Sequence, residues 1–232
     1  MDPTLYDSLD GQVALVTGAN RGIGREIAAG LVDLDATVFA GVRDVDAAVP
    51  EGARPVELDL TDEATLERAV ETVVAEAGRL DVLVNNAGVG TADSTLADVA
   101  VEDVDRILDV NLRGTILLTK YALPHLLDVE GGRVVTLSSG LGILSEPIEG
   151  TAPIYRASKA GVNAITADLD VNHADDGLLA NSVDPGWVAT DLGGDEAPRE
   201  PAEGAATPIW LARFQPGSPS GLFWKDQSVI EF

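Results

Sequence analysis

The sequence predicts a single α/β domain spanning residues 1–232, a doubly wound and mainly parallel seven-stranded sheet flanked by helices. Short β-branched runs alternate with segments of helical periodicity from one end to the other. Several of those runs are apolar on both faces, as parallel strands covered by helices require. A length of 232 residues suits one such domain and buries a sizeable core without disulfides or metals.

The elements follow in order. Gln12 to Thr17 reads as the first strand and turns through glycines into a helix from Ile23 to Asp33; Ala36 to Val42 is the second strand. Only Asp44 to Arg54 remains before the third strand, Pro55 to Leu58, so a crossover helix there must be short or irregular. Asp62 is a cap for a helix reaching Ala77, and Leu80 to Val84 is the fourth strand. A long helix from Glu102 to Leu127, a fifth strand from Arg133 to Leu137, a helix from Pro153 to Asp175 and a sixth strand from Leu179 to Val183 come next. Gly193 to Ala202, rich in glycine, proline and acid, is an exposed loop before a short helix from Pro201 to Arg213, and Gly221 to Trp224 is the last strand. That loop follows a strand at the carboxyl side of the sheet, where ligands bind, and is a candidate lid. Trp187, Leu192 and Trp210 either line it or belong to the core.

Charge is the unusual bulk property. Asp and Glu number 39 against 15 Lys and Arg, a formal net charge of -24. A surface that negative repels nucleic-acid phosphate and anionic lipid, so neither is an expected partner. The acids are scattered rather than gathered in a tail, which points to an acidic shell suited to a salt-rich cytosol, where molar salt shortens the screening length to ~3 Å. Thiol chemistry is excluded, because there is no cysteine. The two histidines, His125 and His173, fall in different helices with no acidic ligands around them, so no metal site is expected. Met1 to Asp10 lacks an apolar signal core, and no apolar run approaches the ~20 residues of a membrane span, so a cytoplasmic location is expected.

Gly18, Gly22 and Gly24 lie between a buried strand and an amphipathic helix, with Asn20, Arg21 and Ile23 among them. Without side chains, such a turn lets backbone N–H groups approach a pyrophosphate at the helix N-terminus; a plain tight turn is the other reading. The second strand ends in Arg43, and Arg21 stands in the glycine turn. Paired guanidiniums suit the 2′-phosphate of NADP, whereas Asp44 suits the ribose diol of NAD, so NADPH/NADP is the expected cofactor and NADH/NAD the alternative. Tyr155 and Lys159, four apart, share a helical face about 6 Å apart along the axis. A phenol titrates near pH ~10, and a neighbouring ammonium is expected to lower that value; an ordinary helix-surface pair is the bland reading. Ser139 ends the fifth strand, in the zone where a carbonyl substrate would lie.

Thr17-Gly-Ala-Asn-Arg-Gly-Ile-Gly24, Asn85-Asn-Ala-Gly88, Asn111, Ser138-Ser139, Tyr155-Arg-Ala-Ser-Lys159 and Pro185-Gly186 with Thr190 resemble the short-chain dehydrogenase/reductase family in order and across almost the whole chain. The resemblance implies a Rossmann-type fold, and three further stretches, Gly132 to Ser139, Asp184 to Asp191 and Glu203 to Pro208, are similar to NADPH-dependent carbonyl reductases. It assigns Asp59 and Leu60 to the adenine, Asn86, Ala87 and Gly88 to the cofactor wall, and Pro185, Gly186, Val188 and Thr190 to the nicotinamide end. Ser139 would bond the substrate oxygen and Tyr155 would donate its proton. Lys159 would tune Tyr155 and grip the ribose, and Asn111 would anchor a water relaying protons to Lys159. Ser138 is the alternative to Ser139.

The implied function is NADPH-dependent reduction of an aldehyde, ketone or quinone. A dehydrogenase of a specific alcohol or sugar is the second reading, and a non-catalytic NADP sensor the third. The long insertion of monomeric animal carbonyl reductases before the tyrosine is missing here, which leaves the helices from Glu102 and Pro153 free to build a homodimer or homotetramer. Glu146 and Glu149, beside the expected site, suggest poor acceptance of anionic substrates.

Overall fold

The computed structural model describes residues 3–90, 95–145 and 151–232. Glu146 and Glu149 lie outside them. The sheet has eight strands in the order β3-β2-β1-β4-β5-β6-β7-β8. These are β1 Val13–Thr17, β2 Thr37–Val42, β3 Arg54–Glu57, β4 Val82–Asn85, β5 Arg133–Leu137, β6 Leu179–Val183, β7 Leu222–Lys225 and β8 Ser228–Ile230. All neighbours pair in parallel except β7 with β8.

Alternation along each strand builds a core on each face. Ala14 and Val16 of β1 join the layer containing Ile27 and Leu31 of α1 (Gly22–Val32) and Leu211 of α6 (Pro201–Ala212). Val13 and Leu15 join the opposite layer, with Leu66 and Val70 of α2 (Glu63–Ala77) and Leu118 and Ala122 of α4 (Thr115–Leu127). Burying each Val, Leu or Ile among them stabilises the fold by about 1.5–3 kcal/mol. Strand order reverses beside β1, flanked by β2 and β4, so the carboxyl ends of β1 and β4 open the crevice where such sheets bind ligands.

Local rules explain the helix ends. Asp62 accepts the Ala64 N–H at 3.1 Å, and Gly78 closes α2 in the left-handed region at φ 78°. Glu200 and Glu203 form a capping box on α6.

Three expectations need correction. The long helix expected from Glu102 is split into α3 (Val101–Leu108), a π-helical turn (Asp109–Gly114) and α4. Gly114 marks the reason on one side, since a Cβ there would meet the Leu60 carbonyl oxygen at 2.4 Å, so the helix runs directly against the loop after β3. No helix joins β2 to β3: turns at Asp44–Ala47 and Pro50–Ala53 make the crossing, because the segment is too short for a helical one. The eighth strand folds back from β7 through Asp226 and Gln227, both left-handed at φ 48° and 59°, the geometry of a tight type I′ hairpin. Asp-Gln is a weak sequence signal for that turn because neither residue is glycine.

Candidate active site

The glycine turn runs from β1 into α1 at the crevice. Gly18 and Gly22 adopt φ 66° and 52°, conformations costly for any side chain. Gly24 is buried, and a Cβ on it would stand 2.3 Å from Asn86 Nδ2 and 2.4 Å from the Gly18 carbonyl oxygen. Its absent side chain therefore serves helix-to-strand packing. Thr17 ties the two strand ends together: its Oγ1 accepts from the Asn86 and Ala87 N–H groups, each at 2.9 Å, while Asn86 Nδ2 donates to the Thr17 carbonyl at 2.7 Å. Gly24→Ala is expected to cost about 2 kcal/mol or more through overpacking, read as a lowered melting temperature together with weakened nucleotide binding.

Arg21 precedes α1, exposed, and its guanidinium pairs with Asp191 at 2.5 Å. Arg43 is exposed just beyond β2. Asp44 Oδ1 accepts the Asp46 N–H at 3.0 Å, folding that carboxylate into its own turn. Arg21 thus spends its charge on Asp191. Asp59 likewise caps its own loop, its Oδ1 accepting from the N–H and hydroxyl of Thr61 at 2.9 and 2.8 Å, and Leu60 is buried in the core beside Gly114.

The reactive groups meet at the carboxyl ends of β5 and β6. Ser139 caps a short 3₁₀ turn, its Oγ accepting the Leu141 N–H at 3.1 Å, and its side chain shares a hydrogen bond with the Tyr155 phenol. Tyr155 and Lys159 lie on α5 (Pro153–His173). Lys159 is buried; Nζ donates to the Leu137 carbonyl at 2.7 Å and stands 5.6 Å from the centre of the Tyr155 ring. Ser138 turns inward instead, donating to the Lys159 carbonyl at 3.2 Å. Burial pushes the half-buried Tyr155 phenol up to about 12, opposed by the Ser139 hydrogen bond and reinforced by the Asp184 carboxylate. Burial also pushes the Lys159 ammonium down to about 8. The phenol thus moves opposite to the expected acidification, and burial is the largest cause.

Asn111 sits in the π-helical turn, fully buried. Its amide holds the backbone of one residue at both ends, Oδ1 accepting the Val89 N–H and Nδ2 donating to the Val89 carbonyl, each at 2.8 Å, and Nδ2 also reaches Ser158 Oγ at 3.2 Å. A Cβ on Gly88 would lie 3.3 Å from Asn111 Oδ1 and 3.6 Å from Lys159 Nζ, so these groups share one small space. π-turns are frequent at functional sites, and this one aims Asn111 at the loop after β4.

The loop after β6 closes the far side. Pro185 is half-buried, Gly186 is left-handed at φ 79°, and Val188 is buried. Thr190 packs its methyl against Gly22, 3.1 Å from where a Cβ would be, and its Oγ1 accepts the Gly193 N–H at 3.2 Å. Trp187 is exposed, with Nε1 donating to the Gly193 carbonyl at 2.8 Å. Leu192 presses on Gly90, where a Cβ would be 2.4 Å from Leu192 Cδ1 and 3.9 Å from the Tyr155 ring, which places Leu192 near the phenol. Trp210, by contrast, belongs to an aromatic cluster with Phe214 and Trp224 in the core. Sequence reading assigned no site role to Thr17, Asp184 or Asp191, although each stands in or bounds a stretch that carries the family resemblance. His125 and His173 lie on α4 and α5, and no cluster of three or more metal-ligating side chains occurs among the described residues. No helix among them is long and apolar enough to cross a membrane.

Known proteins share this fold. The family described as short chain dehydrogenase matches residues 12–201. The chain is 35% identical over 215 residues to the 3-oxoacyl-[acyl-carrier-protein] reductase FabG of Thermotoga maritima, covering 89% of this chain and 85% of that protein. It is 36% identical over 193 residues to the oxidoreductase UcpA of Salmonella typhimurium, covering 79% and 72%. Among solved structures, the 3-ketoacyl-(acyl-carrier-protein) reductase from Brucella melitensis complexed with NADH superposes with a TM-score of 0.86 at 27% identity, over 94% of this chain and 98% of that one. A short chain dehydrogenase from Burkholderia cenocepacia in complex with NADP gives a TM-score of 0.84 at 29% identity, over 94% and 96%.

Proposed function

We propose, from the premise that this chain belongs to the short chain dehydrogenase family, that it is an NADPH-dependent oxidoreductase reducing the carbonyl group of an aldehyde, ketone or quinone to an alcohol. The observation that carries the reading is the Tyr155 phenol, bonded to Ser139 and set beside a buried Lys159 at the mouth of the glycine crevice. The left-handed glycines of the turn, with Asn86, Ala87 and Gly88 across the crevice and Val188 and Thr190 beyond it, fit a dinucleotide. When bound, a reduced nicotinamide supplies the hydride. The protein does the rest. A phenol pushed up to about 12 keeps its proton at neutral pH, the state a donor needs. Ser139 holds the same oxygen that Tyr155 protonates, and Lys159, largely ammonium below its value of about 8, stabilises the charge left as the proton departs. Asn111 fixes the Val89 peptide beside Lys159, a place from which a relay to solvent would run.

NADP is the preferred cofactor in this reading because Arg43 is exposed past β2 while Asp44 is folded into its own turn. Arg43→Ala is expected to lower the NADPH-to-NADH ratio of kcat/KM by about tenfold or more. A KM for NADH below that for NADPH in the parent chain would contradict the preference. The identity to the Thermotoga reductase favours a second reading, a 3-oxoacyl thioester as the ketone. Initial rates with acetoacetyl thioesters against simple aldehydes, diketones and quinones separate the two.

A cytoplasmic, salt-rich setting and self-association complete the proposal. Glu67 and Glu71 lie exposed four apart on α2, a repulsive pair that salt screens, whereas Glu63 on the same stripe pairs with Arg113 at 3.5 Å. Raising KCl from 0.1 to 2 M is expected to lift the melting temperature by about 5 °C or more; no gain would mark an ordinary acidic protein. Val101 on α3 and Val171 on α5 are exposed apolar side chains on the helices expected to pair, and a monomeric mass by light scattering in molar salt would contradict a dimer or tetramer.

A further inference from the structure

The turn that opens α1 supplies no anion of its own. Arg21 is extended at the N-cap, no side chain among the described residues caps the helix there, and its first turn holds no acid. Its free N–H groups therefore present partial positive charge to an anion from elsewhere. In this structure that anion comes from the loop after β6. Thr190 packs its methyl 3.1 Å from where a Cβ on Gly22 would be, and the next residue, Asp191, pairs its carboxylate with the Arg21 guanidinium at 2.5 Å. The loop is braced on both sides of that carboxylate. Ala189 donates to the Arg199 carbonyl at 2.8 Å, and Thr190 accepts the Gly194 N–H on its carbonyl at 2.8 Å and the Gly193 N–H on Oγ1 at 3.2 Å. Asp191 is thus held over the glycine turn by its neighbours. The two charged side chains, by contrast, stand 67% and 73% exposed, where an ion pair is weak enough for a phosphate to displace.

We propose that Asp191 is a resident competitor for the cofactor: its carboxylate occupies Arg21 in the free protein, and a phosphate of the dinucleotide takes the guanidinium from it. The inference rests on the dinucleotide reading of the glycine turn. Its chemistry is an exchange of anions around one cation. A guanidinium grips a carboxylate or a phosphate with the same fork of N–H groups, and the phosphate brings more acceptor oxygens. No backbone movement is needed, because Thr190 stays on Gly22 while the Arg21 side chain turns from one anion to the other. Two phosphates of the cofactor suit the exchange, the pyrophosphate that NAD and NADP share and the 2′-phosphate that only NADP carries. Asp191 therefore sets how tightly the cofactor binds, acting through Arg21 as a positioning residue. Where the 2′-phosphate is the displacing group, it also bears on which cofactor is chosen. With Leu192 seated on Gly90, the same pair fastens the loop across the crevice before a nucleotide arrives.

The test measures Kd for NADP and for NAD by titration calorimetry on the whole chain, at the lowest KCl concentration that keeps the parent folded, where screening is least. Asp191→Asn is expected to tighten NADP binding about two- to fivefold, the scale of an exposed ion pair. Asp191→Glu, which keeps the anion, should stay near the parent. In an Arg21→Gln background the same Asp191→Asn change should have no effect, since the cation in dispute is gone. Tightening confined to NADP identifies the 2′-phosphate as the displacing group, and equal tightening for both nucleotides identifies the pyrophosphate; each supports competition. Unchanged binding in Asp191→Asn would overturn the proposal, and so would weaker binding, which would mean that Asp191 holds Arg21 ready for the cofactor. Tightening that persists undiminished without Arg21 would also overturn it, as the mark of direct repulsion by the carboxylate. A parent that binds neither dinucleotide would sink the reading of the glycine turn and this inference with it, whereas a binding parent indifferent to Asp191 would sink this inference alone.

Discussion

Tyr155→Phe is expected to lower turnover of any carbonyl substrate by about 10²–10⁴-fold, the usual contribution of a placed general acid. Nucleotide affinity should change little, because the phenol hydroxyl meets Ser139 while the glycine turn and Asn86 form the opposite wall of the crevice. The variant loses one oxygen and keeps the ring that packs near Leu192. Folding should therefore be unaffected, and the melting temperature should match the parent within a few degrees. Fluorescence titration with NADPH alongside turnover separates the effects: binding retained and turnover lost is the expected pattern. Equal turnover would remove Tyr155 from the chemistry.

Lys159→Met is expected to give the second-largest loss, about 10² or more in kcat, with stability held or raised. The ammonium is fully buried, and burial pushes it down to about 8 from its ordinary 10.5. Below pH 8 folded and unfolded chains both carry the proton, and the whole cost of burying it is present. Between pH 8 and 10.5 the folded chain has shed the proton and the unfolded chain has not, so this group makes stability rise with pH across that window. The shift corresponds to about 3 kcal/mol at ~1.4 kcal/mol per unit. Losing the hydrogen bond to the Leu137 carbonyl gives back about 1–3 kcal/mol. The net change at pH 7 is accordingly small or favourable, while carbonyl reduction collapses. In the parent enzyme the same group should make reduction fall as pH rises through about 8, where the ammonium is lost. A flat rate from pH 7 to 9.5, or a Lys159→Met variant that is both active and unstable, would contradict its role.

Much of this was legible in the sequence for physical reasons. Strands β1, β4, β5 and β6 are buried on both faces, which shows in the sequence as the apolar or β-branched runs Val13–Thr17, 82–84 and 134–137, while β6 carries Asn181 and Ser182 among its buried residues. Tyr155 and Lys159 were legible because helical spacing alone puts them on one face. The π-turn at Asn111 was not, because its cause is tertiary: Gly114 against the Leu60 carbonyl and an asparagine amide tied to the Val89 peptide. The reversed shift of Tyr155 was hidden for the same reason, since spacing reports the lysine but not the depth of burial. Gly24 also clears space for Asn86, a packing role that spacing does not report. The partners of Asp184 and Arg21 could not be foreseen either, because Lys225 and Asp191 reach them only after the chain has wound through the sheet.

The most direct measurement of the central claim follows hydride and proton together. NADPH carrying deuterium at the nicotinamide C4 is incubated with the chain in molar KCl and a panel of aldehydes, ketones, quinones and 3-oxoacyl thioesters, and the products are read by mass spectrometry. The account predicts that NADPH is consumed with at least one substrate, that deuterium from the transferring face appears on the new carbinol carbon, and that Tyr155→Phe forms almost none of this product. Tight NADPH binding with no labelled alcohol from any carbonyl compound would contradict it.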